Sequence, residues 1–189
     1  MRQECSPIND ASQLIEAGQE RERLKSPEQE GFPKVAVIIL HYGRAERDGD
    51  ESLQYTEECL HSLEQIDYPN FQTVILDSGS TDGLPERYRG GFISSFPRLR
   101  ETTLIHLEHN VGCAQGYNLA AQYAVRRGAD FLFLLNNDTV VVNPDILSNM
   151  IGTARQFPEA VAIGPKIYDW KQSKAEPDVI QFIGGRFIG

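Results

Sequence analysis

The sequence predicts an α/β fold, a mostly parallel sheet flanked by helices, and three observations carry that prediction. Four segments rich in β-branched and aromatic residues, KVAVIILHY from Lys34, FQTVILD from Phe71, TTLIHLE from Thr102 and FLFLLNN from Phe131, each fit a strand. Stretches with helical spacing separate most of them, and strands that alternate with helices argue for parallel neighbours joined by crossovers. The run FLFLL at 131–135 is apolar without alternation, which fits a strand buried on both faces.

Taken in order, residues 1–33 are rich in Glu, Gln, Arg and Ser, carry Pro7, Pro27 and Pro33, and read as a polar N-terminal tail of disorder-prone composition. A short helix around Gln13 to Lys25 is weakened by Gly18. The composition changes at Lys34, and residues 34–189 read as one domain. After the first strand a polar stretch, Gly43 to Ser52, leads into YTEECLHSLEQI. There Leu60, Leu63 and Ile66, with Tyr55 or Cys59, fall at helical spacing. YPN ends that helix, FQTVILD makes the second strand, and SGSTDG follows as a turn. Leu84 to Arg100 has no clear period. The third strand is followed by HNVGCAQGYN and the Ala-rich helix LAAQYAVRRG, with Gly128 at its C-terminal cap. Beyond the fourth strand, Asn143-Pro144 opens a helix over PDILSNMIGTARQF. AVAIGPKI and VIQFIGGRFIG read as two more short strands, and no internal repeat is visible.

The bulk composition excludes several classes. The 189 residues are 40% hydrophobic and 24% charged, with a net charge of −9. Such a surface repels polyanions, which argues against nucleic acid as a partner; a diphosphate ligand would need a metal ion or backbone dipoles to offset the repulsion. No apolar stretch approaches the length of a membrane span, and MRQECSPIND has no hydrophobic signal region, so the expected location is cytoplasmic. Cys5, Cys59 and Cys113 are too few and too far apart for a disulfide framework or a zinc site. Neither G-x-G-x-x-G nor G-x-x-x-x-G-K-[ST] occurs, a G-x-S-x-G elbow is missing, and the four histidines have no metal-binding spacing. Asp48-Gly49-Asp50 spells Asp-x-Asp, but no buried strand holds it, and it reads as a solvated loop.

Chemistry concentrates at the strand ends. In open α/β sheets, ligands collect outside the carboxyl ends of the strands. There the chain places HYG at 41–43, DSGSTDG at 77–83 and NNDT at 136–139, with HNVGCAQGYN after the third strand. Tyr42, Asp77, Asn110 and Asp138 are therefore expected to face one crevice. Tyr42 suits stacking on a base or simple packing. An ionised Asp77 is purely an acceptor, suited to a base N–H, to ribose hydroxyls or to capping its own turn. Gly112, Ala114 and Gly116 would let a ligand approach a helix N-terminus, where free N–H groups favour phosphate, and they would equally serve helix-to-sheet packing. Asp138 suits a hard divalent cation, with the amide oxygen of Asn136 in support, although Asn-Asn-Asp-Thr also makes a good turn.

In this order, VAVIILHYG, VILDSGSTDG, HNVGCAQGYN and FLFLLNNDT resemble the donor-binding half of family 2 inverting glycosyltransferases with the Rossmann-like GT-A fold, and the rhamnosyltransferase-like members most of all. The likeness covers about residues 34 to 189, including GPKIYD and FIGG. It implies that Tyr42 and Asp77 hold the nucleoside, and that the Asn110 to Asn118 segment, with Gly112 and Gly116, lines the nucleotide pocket. It also implies that Asp138 closes an Asp-x-Asp-type motif, begun here by Asn136, on Mn2+ or Mg2+. The implied donor is a UDP- or dTDP-sugar and the implied acceptor a saccharide or lipid-linked molecule, with peripheral membrane association of the full enzyme. Asn136 stands where many relatives have Asp, which weakens the expected metal site without abolishing it, since the resemblance is to rhamnosyltransferase-like members in which Asn also occurs there.

An inverting transfer also needs a general base, which in that family follows the Gly-Gly segment. Only four residues follow Gly185 here, so the catalytic base is left unassigned, Asp169 and Asp178 being no more than guesses, and a partial enzyme is expected. A non-catalytic nucleotide-sugar-binding module is the main alternative. A sugar-phosphate nucleotidyltransferase is disfavoured, because HYGRAERDGD lacks the Gly-rich loop that such proteins carry after the first strand.

Overall fold

The computed structural model describes residues 31–99, 101–168 and 180–182. Strand β1 (Val35–His41) leads through a short helix α1 (Ala45–Asp48) to α2 (Glu51–Leu63) and then β2 (Phe71–Ser78). The segment without clear periodicity folds as α3 (Leu84–Arg89) and two 3-10 turns, Phe92–Ser95 and Pro97–Leu99. After β3 (Thr103–Leu107) come α4 (Cys113–Arg126), β4 (Phe131–Asn136) and α5 (Ile146–Gln156). Two short strands, β5 (Ile167–Tyr168) and β6 (Ile180–Phe182), pair antiparallel as a separate ribbon. The expected strand over VIQFIGGRFIG extends into residues 183–189, which lie outside the described residues, as does nearly all of the N-terminal tail.

The main sheet has the order β3-β2-β1-β4, and every pairing in it is parallel. Its parity sorts the core into two layers. Val35, Val37 and Ile39 of β1 pack with Leu53, Leu60 and Leu63 of α2, with Phe96 and Leu99, and with Leu147 and Ile151 of α5. Ala36 and Ile38 point the other way, against Ala120 and Ala124 of α4. Alanines on α4 bring the helix close to the sheet, and Gly116 brings it closer still. A Cβ at Gly116 would sit 2.6 Å from Leu40 Cδ1, so this buried glycine makes room for the sheet. Any help it gives a nucleotide is therefore through the backbone path.

One expectation is overturned. FLFLL was read as buried on both faces, yet only Phe133 and Leu135 are buried, whereas Leu132 and Leu134 are 38% and 52% exposed. The reason is position: β4 pairs only with β1 and forms the edge of the four-stranded sheet, and α4 lies over the β1–β2 side of that face. A strand's coverage depends on the elements above it, which hydropathy does not report. The Ala-rich helix also begins earlier than its composition suggests, at Cys113, and takes in residues that read as loop. Among the described residues no helix is long and apolar enough to cross a membrane.

Candidate functional site

Register places the polar strand ends side by side. His41 pairs with Asp77, Asp77 with His106, and Leu40 with Asn136, so Tyr42, Asp77 and the Asn136–Asp138 segment share the carboxyl edge of the sheet. The loop after β3 adds Asn110 to the same edge. The Ser78 hydroxyl donates to Asn110 Oδ1 (3.2 Å) and accepts from the Val111 N–H (3.0 Å). The turn after β2 and this loop are pressed together at Gly79, whose φ is +72° and whose added Cβ would lie 2.6 Å from the His109 carbonyl carbon.

Asp77 is fully buried. The Ser80 N–H donates to its Oδ1 (3.1 Å), and His106 Nδ1 donates to its Oδ2 (2.7 Å), so both oxygens have partners within the protein. Asn110 Oδ1 also accepts from the Gly112 N–H (2.8 Å), which shapes the entry to α4. Gly112, Cys113, Ala114, Gln115 and Asn118 are exposed, and no side chain caps the helix N-terminus. Tyr42 is half-buried; its hydroxyl accepts from Arg44 Nε (2.9 Å), and the Arg44 guanidinium lies 5.8 Å from the ring centre.

Asp138 is exposed at the end of β4 beside Asn136, whose Oδ1 accepts from the Tyr117 hydroxyl (3.0 Å). The negative field of Asp138 reaches three neighbours. Burial first, and then Asp138, pushes the Cys59 thiol from 9.0 up to about 12. Burial, then Cys113 and Asp138, push the Tyr117 phenol from 10.0 up to about 12. Tyr55 is raised mainly by its hydrogen bond to Glu51, with a smaller push from Asp138. Cys59 and Tyr117 hold their protons more tightly when folded, so the stability they contribute is complete below their ordinary values of 9.0 and 10.0 and is lost as pH climbs toward 12. Urea melts from pH 8 upward are expected to show this fall, and Cys59→Ala is expected to reduce its slope.

The donor set fits a hard divalent cation of modest affinity. Among the described residues no group of three or more His, Cys, Asp or Glu side chains could hold a metal ion. What β4 offers is one exposed carboxylate and one amide oxygen with a lone pair to spare, and such a site suits Mg2+ or Mn2+ when phosphate oxygens and water complete the shell. Asp48, of the Asp-Gly-Asp sequence, is held by its neighbour Arg47 (2.6 Å) on the surface. Asp169 and Asp178 lie outside the described residues.

The sequence reading missed a buried chain of polar groups that ties these loops together. His41 is fully buried, and its Nε2 donates to Asp82 Oδ2 (2.8 Å), a side chain with no exposed area. Its Nδ1 meets Thr56 Oγ1 of α2 (2.7 Å), and that oxygen accepts from Asn137 Nδ2 (3.0 Å). Three segments, the ends of β1 and β4 and the turn after β2, are thus pinned to α2 through Thr56, and Asn137, which ties the end of β4 there, is next in the chain to Asp138. Gly43 belongs to the same device, since a Cβ there would lie 1.9 Å from Asp82 Oδ2. One signal was legible: His41 continues the inward parity of Val35, Val37 and Ile39, where a polar side chain needs a partner.

A family profile described as Glycosyl transferase family 2 matches residues 37–181, which is most of the chain and spans all four strand ends. The chain belongs to glycosyl transferase family 2. This family 2 domain is 30% identical over 139 residues, 72% of its length, to the O-antigen biosynthesis protein RfbC of Myxococcus xanthus, of which the match covers 10%. Its fold is similar to that of mannosyltransferase PcManGT from Pyrobaculum calidifontis, solved with GDP-Man and Mn2+. That likeness has a TM-score of 0.56 and 24% identity, and covers 84% of this chain and 44% of the other. S. aureus TarS 1-349 in complex with UDP is also similar, with a TM-score of 0.51 and 20% identity over 71% of this chain and 39% of the other. The domain is therefore a GT-A glycosyltransferase fold, and it spans less than half the length of each of these proteins.

Proposed function

We propose that this family 2 domain binds a nucleoside-diphosphate sugar, UDP- or dTDP-linked, along the carboxyl edge of the sheet. In this reading the whole protein passes the sugar, with inversion, to a saccharide or lipid-linked acceptor in the cytoplasm. The observation that carries the reading is the gathering of Tyr42, Asp77, Asn110 and Asn136–Asp138 on one edge, beside the uncapped start of α4. Backbone N–H groups in the exposed first turn of α4 offer the diphosphate a partial positive charge, which suits a chain whose net charge is −9. Asp138 and Asn136 would hold Mn2+ or Mg2+, which when bound supplies the charge that stabilises the departing nucleoside diphosphate. Asn137, anchored to Thr56, fixes the height of that segment over α2. The relatives solved with GDP-Man and Mn2+, and with UDP, support a sugar nucleotide as the partner class.

Isothermal calorimetry with UDP, dTDP and GDP, in Mn2+ and again in EDTA, tests this reading. Binding of at least one nucleotide that weakens on chelation is the expected result. A folded sample that takes up none of the three in Mn2+ would reject it.

A further inference from the structure

Resting on that sugar-nucleotide reading, we infer that His106, and not the carboxylate of Asp77, meets the nucleoside, accepting a hydrogen bond from it through Nε2. Asp77 has no exposed area, and each of its oxygens already has a partner, in the Ser80 N–H and in His106 Nδ1. A ligand in the crevice therefore cannot reach this carboxylate without displacing His106. The imidazole itself is 41% exposed, and the register of β2 against β3 places it directly beside Asp77.

The pairing also decides what the ring offers. An ionised carboxylate only accepts, so the proton shared in this hydrogen bond must sit on Nδ1. In the neutral ring that leaves Nε2 with a bare lone pair, on the edge turned away from Asp77. Asp77 thus acts as a positioning residue, fixing the tautomer and orientation of His106. A lone-pair acceptor recognises a nucleoside N–H or O–H. The candidates are the imide N–H of uracil or thymine, flanked by two carbonyls, and the ribose 2′-hydroxyl. Cytosine has no ring N–H at that position, so a base contact would select against it.

The test is calorimetry on the full chain in Mn2+ with UDP, N3-methyl-UDP and 2′-deoxy-UDP, using wild type, His106→Asn and His106→Gln. The asparagine amide can still donate toward Asp77 but lacks anything at the Nε2 position, whereas glutamine carries a carbonyl acceptor out to it. His106→Asn is expected to weaken UDP about tenfold, the worth of one hydrogen bond, and His106→Gln to stay within about threefold of wild type. If the base is the donor, N3-methyl-UDP loses the same factor on wild type and nothing further on His106→Asn; if the ribose is, 2′-deoxy-UDP does so. Equal UDP affinity in wild type and His106→Asn, or no loss with either analogue on wild type, would overturn this assignment while leaving the sugar-nucleotide reading intact. No UDP binding by wild type would overturn both.

Discussion

Replacing Asp82 with alanine is expected to lower the free energy of unfolding by about 3 kcal/mol, the upper end of what leaving a buried hydrogen-bonding group without its partner costs. The His41 Nε2–H would lose its acceptor in a place that water does not reach, and the Leu84 N–H would lose its contact with Oδ1 (3.3 Å). Asp82→Asn keeps the shape but offers one oxygen in place of two, so it is expected to cost about 2 kcal/mol. Gly43→Ala should behave like Asp82→Ala although it touches no charge, because its methyl group would occupy the place of Asp82 Oδ2, 1.9 Å away. Urea unfolding of the three variants, and of Gly43→Ala with Asp82→Ala combined, checks this. The double variant should lose little more than either alone, since both break the same contact. Full additivity would show that Gly43 and Asp82 act separately.

The same residues show what could be read without coordinates. The parallel sheet was legible because each buried strand writes its own hydropathy and each crossover helix its own period, both over short spans of chain. The gathering of Tyr42, Asp77, Asn110 and Asp138 on one edge followed from topology alone, since parallel strands must end on the same side. What stayed hidden depends on contacts across the sheet. His41 lies 15 residues from Thr56 and 41 from Asp82, and Thr56 lies 81 from Asn137, so nothing local announces that the four meet. The start of α4 was obscured by Gly112 and Gly116, which lower helix propensity; packing against Leu40 outweighs that cost. At β4 the misreading came from the opposite side: large apolar residues stand on both faces, and only the placement of α4 decides which of them are covered.

Under the sugar-nucleotide reading, Asp138→Asn is expected to weaken Mn2+-dependent nucleotide binding about a hundredfold, while EDTA-insensitive binding stays the same. The carboxylate is exposed, so the free energy of unfolding near neutral pH should stay within about 0.5 kcal/mol of wild type. A second signature is independent of any ligand. Asp138 is one of the groups that hold the Tyr117 phenol up near 12, so removing its charge should let Tyr117 ionise at lower pH, by the part of the rise that burial, Cys113 and Cys59 do not account for. Ultraviolet difference titration of the phenolate, with Tyr117→Phe to assign the band, reads that change. The two results together separate an electrostatic site from a turn. If Asn-Asn-Asp-Thr served only to reverse the chain, asparagine would serve there as well as aspartate, and nucleotide binding with Mn2+ would survive the substitution. If Asp138 carries the cation, Tyr117 titrates earlier and the metal dependence disappears in the same protein, with the fold intact.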